Sequence, residues 1–300
     1  MRLPAKIIKK IRENGSKKET NFQKNLEFYP KRDIPYDTEK GLPLVHVEQN
    51  YFNFNDLVAS DYVKEKLRNI LVENKSVDLL STYGLKPKQK ILLCGPPGTG
   101  KTLSSRILSS VLGYPFVYVR FDSVLSSFLG ETAKNIRRIF DFIEKENYVV
   151  LFDEFDIVAK NRDDKYEHGE IKRVVNNLIQ MMDEYEGRSL LIAATNHHKL
   201  LDNAVWRRFD EIIYFGLPNA ESRALLFHKY LAVVKRDDDY DYLSYVSSTK
   251  GFSAFDIVQI CQSALKRTIL SHRNVVTNAD IEWAIKDQTI RKSIVNKSDL

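Results

Sequence analysis

The sequence predicts an α/β fold, a parallel sheet covered by helices on both faces and followed by a smaller helical domain. Two observations carry this. Between Ile91 and Phe215, short apolar runs bounded by turn residues alternate with helical patterns, the signature of strands joined by crossover helices. After Pro218 the strand signals stop and the remaining residues keep a helical period. A chain of 300 residues with 43% hydrophobic and 11% aromatic content has enough apolar side chains for a packed core of this size.

The chain opens on a different composition. Residues 1–40 hold 11 Lys and Arg against 6 Asp and Glu, so most of the formal charge of +6 lies there, and Leu3, Ile7, Ile8 and Ile11 fall at helical spacing among the lysines. Pro30, Pro35, Gly41 and Pro43 then punctuate a stretch with little periodicity, so residues 1–50 are expected to be a basic arm and linker, with the compact domain beginning near Tyr51. A patch of this kind suits nucleic acid, an anionic membrane or an acidic partner, but a solvated arm explains it as well. No stretch reaches the roughly 18 consecutive apolar residues of a spanning helix, and no secretory signal opens the chain. A soluble, cytoplasmic protein is expected. Cys94 and Cys261 are too few for a disulfide framework and lack metal spacing, which makes both core residues.

Five strands are expected, at Ile91 to Cys94, Phe116 to Arg120, Val149 to Asp153, Leu190 to Ala194 and Glu211 to Phe215. Their near-continuous hydrophobicity is what a parallel sheet buried on both faces requires. The expected helices of the C-terminal domain are Ala220 to Val234, Tyr240 to Ser247, Ala254 to Leu270 and Asp280 to Ile290. There is no internal repeat and no low-complexity segment.

The first strand leads into Gly95 to Thr102, GPPGTGKT, and then into a helical pattern from about Thr102 to Val111. Glycines at this spacing let the backbone curl so that its N–H groups face phosphate oxygens, and the helix N-terminus adds favourable potential for an anion. Lys101 has the reach for the β- and γ-phosphates, and Thr102 offers a hydroxyl to Mg²⁺. The residues expected to hold ATP here are Gly95, Pro97, Gly98, Thr99, Gly100, Lys101, Thr102 and Leu103. The third strand ends in Asp153 and Glu154, 52 positions beyond Lys101, at the sheet edge where ligands bind in open α/β folds. Asp153 is placed to hold the Mg²⁺ through water, and Glu154 to orient and polarise a water attacking the γ-phosphate.

GPPGTGKT, LFDEFD at Leu151 to Asp156 and IAATN at Ile192 to Asn196 together resemble the AAA branch of the AAA+ ATPases, over roughly Tyr51 to Ile290. The resemblance implies an αβα P-loop NTPase core whose five-stranded parallel sheet has the order 5-1-4-3-2, spanning residues 51–217, with a helical lid over 218–300. It implies that Asn196 is the polar sensor that helps position the lytic water. Leu201 to Asp210 is similar to the family's second region of homology, whose arginines reach a neighbouring active site. Arg207 and Arg208 are adjacent here, as in the spastin and katanin type, and either one is left as the group that touches phosphate.

Phe54 to Val58 resembles the segment lining the adenine pocket, which adds Asp56 and Val58, and Tyr230 falls where relatives place a residue beside the base. Gly251 to Asp256 is similar to a G-F-S-G-A-D pattern with the middle changed to Ala254-Phe255, and, as in relatives of the AAA branch, the sensor-2 arginine is missing, so sensing by the lid is expected to rest on packing and backbone contacts. Ser127 to Glu131 resembles an aromatic pore loop, with Phe128 and Leu129 gripping a polypeptide; Asn161 to Glu170 is a second, charged candidate. The implied assembly is a homo-oligomeric ring of six subunits with ATP between them, and the implied function is ATP-driven remodelling or unfolding of a protein substrate. Action on nucleic acid through the basic arm, and nucleotide-dependent control of a partner enzyme, are the alternatives; the arm without a recognisable nucleic-acid fold gives the former limited support.

Overall fold

The computed structural model describes residues 34–124, 129–155, 177–197, 201, 203–232, 235–236 and 242–298. By their contacts these residues form two units. The second gathers Val58–Tyr62, Pro96–Gly100 and the chain from Phe215 onward; the first holds the rest.

The first unit is built on one sheet. Its strands are β1 (Val45–Glu48), β2 (Lys90–Cys94), β3 (Phe116–Val119), β4 (Val149–Phe152), β5 (Leu190–Thr195) and β6 (Glu211–Tyr214), in the order β1-β3-β4-β5-β2-β6. From β2 onward every pairing is parallel, and counting the five expected strands alone reproduces the order 5-1-4-3-2. All residues of β4 and β5 are buried, as strands covered on both faces must be.

The sixth strand corrects the sequence expectation. Val45–Glu48, within the span read as arm and linker, pairs antiparallel with β3 from Val45 opposite Val119 to Glu48 opposite Phe116. Leu44 and Val45 belong to the main core, and Arg106 reaches from the helix α3 (Lys101–Leu112) to Glu48 at 2.8 Å. The preceding turn is also anchored. Thr38 donates to Glu131 at 3.0 Å, and Glu131 accepts from Arg138 at 2.9 Å and from Lys134 at 3.2 Å. Arg138, then Lys134 and Thr38, hold the Glu131 carboxyl below the usual range.

In the first unit α1 (Asp61–Lys75, joining at Val63) and α2 (Val77–Thr82) lie before β2, and α4 (Phe121–Val124) follows β3. Helix α5 runs Leu129–Ile143 and presents Ile136, Ile139, Phe140 and Ile143 at helical spacing to the core. Phe152 of β4 is the centre of that layer, with ring centroids 6.2 Å from Phe140 and 6.3 Å from Phe121. A helix α6 occupies 177–184 and contributes Leu178 and Met182 to the same cluster; α7 (Asn203–Trp206) precedes β6.

In the second unit, α8 (Ala220–Leu231), α9 (Tyr242–Ser248), α10 (Ala254–Leu270) and α11 (Asn278–Ser298) enclose a core of Phe227, Tyr245, Ile257, Ile260, Ile281 and their neighbours. Cys261 is buried there, as Cys94 is in the first unit. The expectation of helices alone is corrected by a two-residue parallel pair, β7 (Lys235–Arg236) with β8 (Val275–Val276), too short to leave a period in the sequence.

Asp280, 2% exposed, ties α10 to the start of α11. Its carboxylate accepts from Arg273 at 2.7 and 2.6 Å, from the Thr277 N–H at 3.1 Å and from the Thr268 hydroxyl at 3.2 Å. The Arg273 guanidinium holds the Asp280 carboxyl well below the usual carboxylate range. A depressed folded value means that this group's contribution is complete above its unfolded value near 4 and is lost progressively as pH falls below it. Asp280→Asn is expected to lower stability at pH 7 by about 2–3 kcal/mol and to flatten the acid limb between about pH 5 and 3, checked by urea unfolding across that range. Parallel acid limbs for the two proteins would contradict the assignment.

Candidate nucleotide-binding site

The site lies where β2, β4 and β5 end at the same edge of the sheet. Between Cys94 and α3 the chain turns through Gly95 (φ 138°), Gly98 (φ 72°) and Gly100 (φ 104°), a backbone path open to glycine. Thr99 closes the turn by donating its hydroxyl to the Pro96 carbonyl at 2.8 Å.

Lys101 is 7% exposed, which for an ammonium group requires acceptors. It donates to the Gly95 carbonyl at 2.7 Å and to Asn196 Oδ1 at 2.8 Å. Asn196 follows the last residue of β5, and β5 is the register neighbour of β2 from Leu191 to Thr195. The parallel pairing therefore brings the two residues together across 95 positions of sequence. Burial pushes the Cys94 thiol up, with the Lys101 charge opposing, which fits a core residue and not a nucleophile.

One residue along, the Thr102 hydroxyl donates to Asp153 Oδ2 at 3.1 Å, and Asp153 Oδ1 accepts the Glu154 N–H at 2.9 Å. A hydroxyl and a carboxylate at this distance are hard oxygen donors of the kind Mg²⁺ takes alongside waters and phosphates. Glu154 is exposed and has φ 52°, the left-handed region that costs a non-glycine residue roughly 1–2 kcal/mol. The chain is held there from both sides: Asp153 takes the Glu154 N–H, and the Phe155 N–H donates to the Ala194 carbonyl at 2.8 Å with the Phe155 ring packed on Phe209. Nothing in a Glu signals this conformation, so the sequence could not foretell it.

Arg207 and Arg208 stand exposed in the turn after α7. Arg208 donates to Asp183 Oδ2 at 2.7 Å, whereas Arg207 has no hydrogen bond or ion pair among the described residues. At 40% and 41% exposure the Arg208 to Asp183 pair is worth about 1 kcal/mol at most. Asp183 had no signal in the sequence, since its partner lies 25 positions away on another element.

Val58 and Tyr230 both pack against the hydrophobic cluster of the second unit, so these two expected base-side residues border one apolar surface. Asp56 is committed locally: its carboxylate accepts the Asn53 N–H at 3.0 Å and caps a short 3₁₀ turn, Phe54–Asp56. Leu103 is half-buried on α3 and Pro97 exposed on the loop. Phe128 and residues 161–170 lie outside the described residues. Leu129 is the first residue of α5.

A parallel sheet with a glycine loop at β2, an acidic pair at β4 and a polar residue at β5 defines a P-loop nucleoside triphosphatase. A family model for the ATPase family associated with various cellular activities (AAA) matches residues 91–217. An uncharacterized AAA family ATPase of Sinorhizobium fredii is 35% identical over 294 residues, covering 97% of this chain and 86% of its own. A putative 26S proteasome regulatory subunit homolog of Methanocaldococcus jannaschii is 33% identical over 238 residues, 78% of this chain and 63% of its own. A proteasome-activating nucleotidase of Sulfurisphaera tokodaii is 30% identical over 283 residues, 91% of this chain and 71% of its own. The chain belongs to the AAA family of ATPases and is an ATP-hydrolysing enzyme. Among the described residues no helix is long and apolar enough to cross a membrane.

The strained position yields a paired expectation. Glu154→Gln should still bind Mg-ATP, with hydrolysis reduced by at least about 10²-fold. Glu154→Gly should be equally inactive yet about 1 kcal/mol more stable, because glycine adopts this φ freely. Thermal melts and phosphate release on the two variants check both; a less stable Glu154→Gly would mean that the backbone there is not strained.

Proposed function

We propose that the chain couples Mg-ATP hydrolysis, in a homo-oligomeric ring of six subunits, to remodelling or unfolding a protein substrate, as a single-ring module of the spastin and katanin type. In this reading Lys101 and the loop N–H groups bind the phosphates, and Thr102 and Asp153 hold Mg²⁺. The metal, when bound, neutralises charge on the β- and γ-phosphate oxygens. Glu154 orients the attacking water and takes its proton, and Asn196, bonded to Lys101 at 2.8 Å, fixes the water's other side.

The observation that carries the ring is the exposed Arg207, which has no hydrogen bond or ion pair among the described residues. A guanidinium on an outward turn suits a neighbour's γ-phosphate, where such groups are worth roughly 10³ to 10⁵ in rate. Arg208, paired with Asp183, is the less available of the two. The choice of protein over nucleic acid is supported by relatives named as a proteasome-activating nucleotidase and a proteasome regulatory subunit homolog, matched over most of this chain. Phe128 is the residue proposed to grip the substrate.

Two experiments test this. Arg207→Ala and Lys101→Ala chains, each inactive alone, are expected to recover part of the hydrolysis when mixed, because one interface then holds an intact loop and an intact arginine; no recovery at any ratio would remove the trans arginine. Phe128→Ala is expected to keep melting temperature and basal hydrolysis while losing stimulation by an unfolded polypeptide. A drop in stability of about 3–5 kcal/mol would instead identify Phe128 as core and withdraw it from the channel.

A further inference from the structure

The glycine loop is held from outside by the start of a helix. Ser253 caps α10: its Oγ accepts the Asp256 N–H at 3.2 Å, and Asp256 Oδ2 accepts the Ser253 N–H at 2.8 Å. Asp256 is itself fixed by α11, where Gln288 donates to its Oδ1 at 2.9 Å. Ala254 and Phe255 are the first helical residues, and N–H groups in a first turn have no acceptor within the helix. The Phe255 N–H finds one in the Gly98 carbonyl, at 3.0 Å. The approach is close enough that a Cβ on Gly98 would stand 2.7 Å from Ser253 Oγ and 2.8 Å from Phe255 Cβ. Gly98 is thus required twice, by its φ and by this neighbour.

We propose that Phe255 is a positioning residue for nucleotide binding: its amide sets the plane of the Gly98 to Thr99 peptide and so aims the Thr99 N–H at the phosphates. In a trans peptide the carbonyl and the following N–H point in opposite directions. With the Gly98 carbonyl drawn toward α10, the Thr99 N–H is turned to the other side of the loop. Thr99 is 5% exposed, and although its hydroxyl is engaged with Pro96, its N–H has no acceptor among the described residues. A buried, unmet N–H is costly unless a ligand takes it, and a phosphate oxygen is the ligand this loop type receives. The second unit thereby acts on nucleotide binding through one backbone hydrogen bond to the loop. This rests on the ATP-binding role of the loop and is independent of what the ATPase acts upon.

The test deletes the one N–H. Phe255→Pro removes it without breaking an intrahelical bond, while Ala254→Pro makes the same change one residue earlier and keeps it; Ser253, at ψ 166°, already has the extended backbone that precedes a proline. Mg-ADP affinity by titration calorimetry is expected to weaken about tenfold in Phe255→Pro and to stay within about twofold in Ala254→Pro. In steady state Phe255→Pro should raise KM with kcat nearly unchanged, the pattern of lost uniform binding. Unchanged ADP affinity in Phe255→Pro, or equal weakening by both prolines, overturns the proposal. Should Phe255→Pro fail to fold, residue-resolved hydrogen exchange on the unaltered protein decides: protection of the Phe255 amide supports the contact, and exchange at the rate of an unstructured amide contradicts it. Lys101→Ala separates the two levels, since ADP binding that survives it would refute the loop as the nucleotide site and leave this contact without a role.

Discussion

The buried ammonium group of Lys101 is the constraint on which the first unit turns. A cation at 7% exposure must be met by acceptors, and it is met by the carbonyl just after β2 and by the side chain just after β5. In this structure the condition is met because β2 and β5 are adjacent and parallel, in the register that sets Cys94 opposite Thr195. Strand order, which in a sheet of apolar strands is set by packing, thus becomes chemistry at one edge. The pairing of Thr102 with Asp153 extends the same logic to β4.

Packing behind that edge serves it directly. Phe152, locked among Phe121 and Phe140, sits immediately before the acidic pair, so the carboxylates leave the core from a fixed point. Phe155, bonded to Ala194 and stacked edge-on to Phe209, returns the chain to the core three residues later. Glu154 is the residue between two anchors, and its left-handed backbone is what that short span leaves available. Strain concentrated on the residue proposed to handle the water, and absent from the metal-side Asp153, is a division of labour that stability alone would not favour.

Much of this was legible in the residues. The five parallel strands, their order and the positions of Lys101, Thr102, Asp153, Glu154 and Asn196 follow from continuous apolar runs, a spacing of glycines and a family resemblance. The rest depends on contacts that local patterns do not encode. Val45–Glu48 has four residues of alternating character behind Pro43, too few to separate an edge strand from a linker; it becomes a strand because β3 presents an unpaired edge and Leu44 and Val45 fit the core. The tie of Arg208 to Asp183 and the approach of Phe255 to Gly98 join distant segments, and a Phe at 54% exposure acting through its amide leaves no trace in its side chain.

The central claim is that one chain carries a complete nucleotide site but only part of the hydrolytic machinery, the remaining charge arriving from an adjacent subunit. Specific ATPase activity measured against total protein concentration, with sedimentation velocity on the same samples, tests it most directly. The account predicts that activity per chain falls toward zero as the sample dilutes to monomer while Mg-ADP is still bound. Full activity per chain in a sample that sediments only as monomer would contradict it.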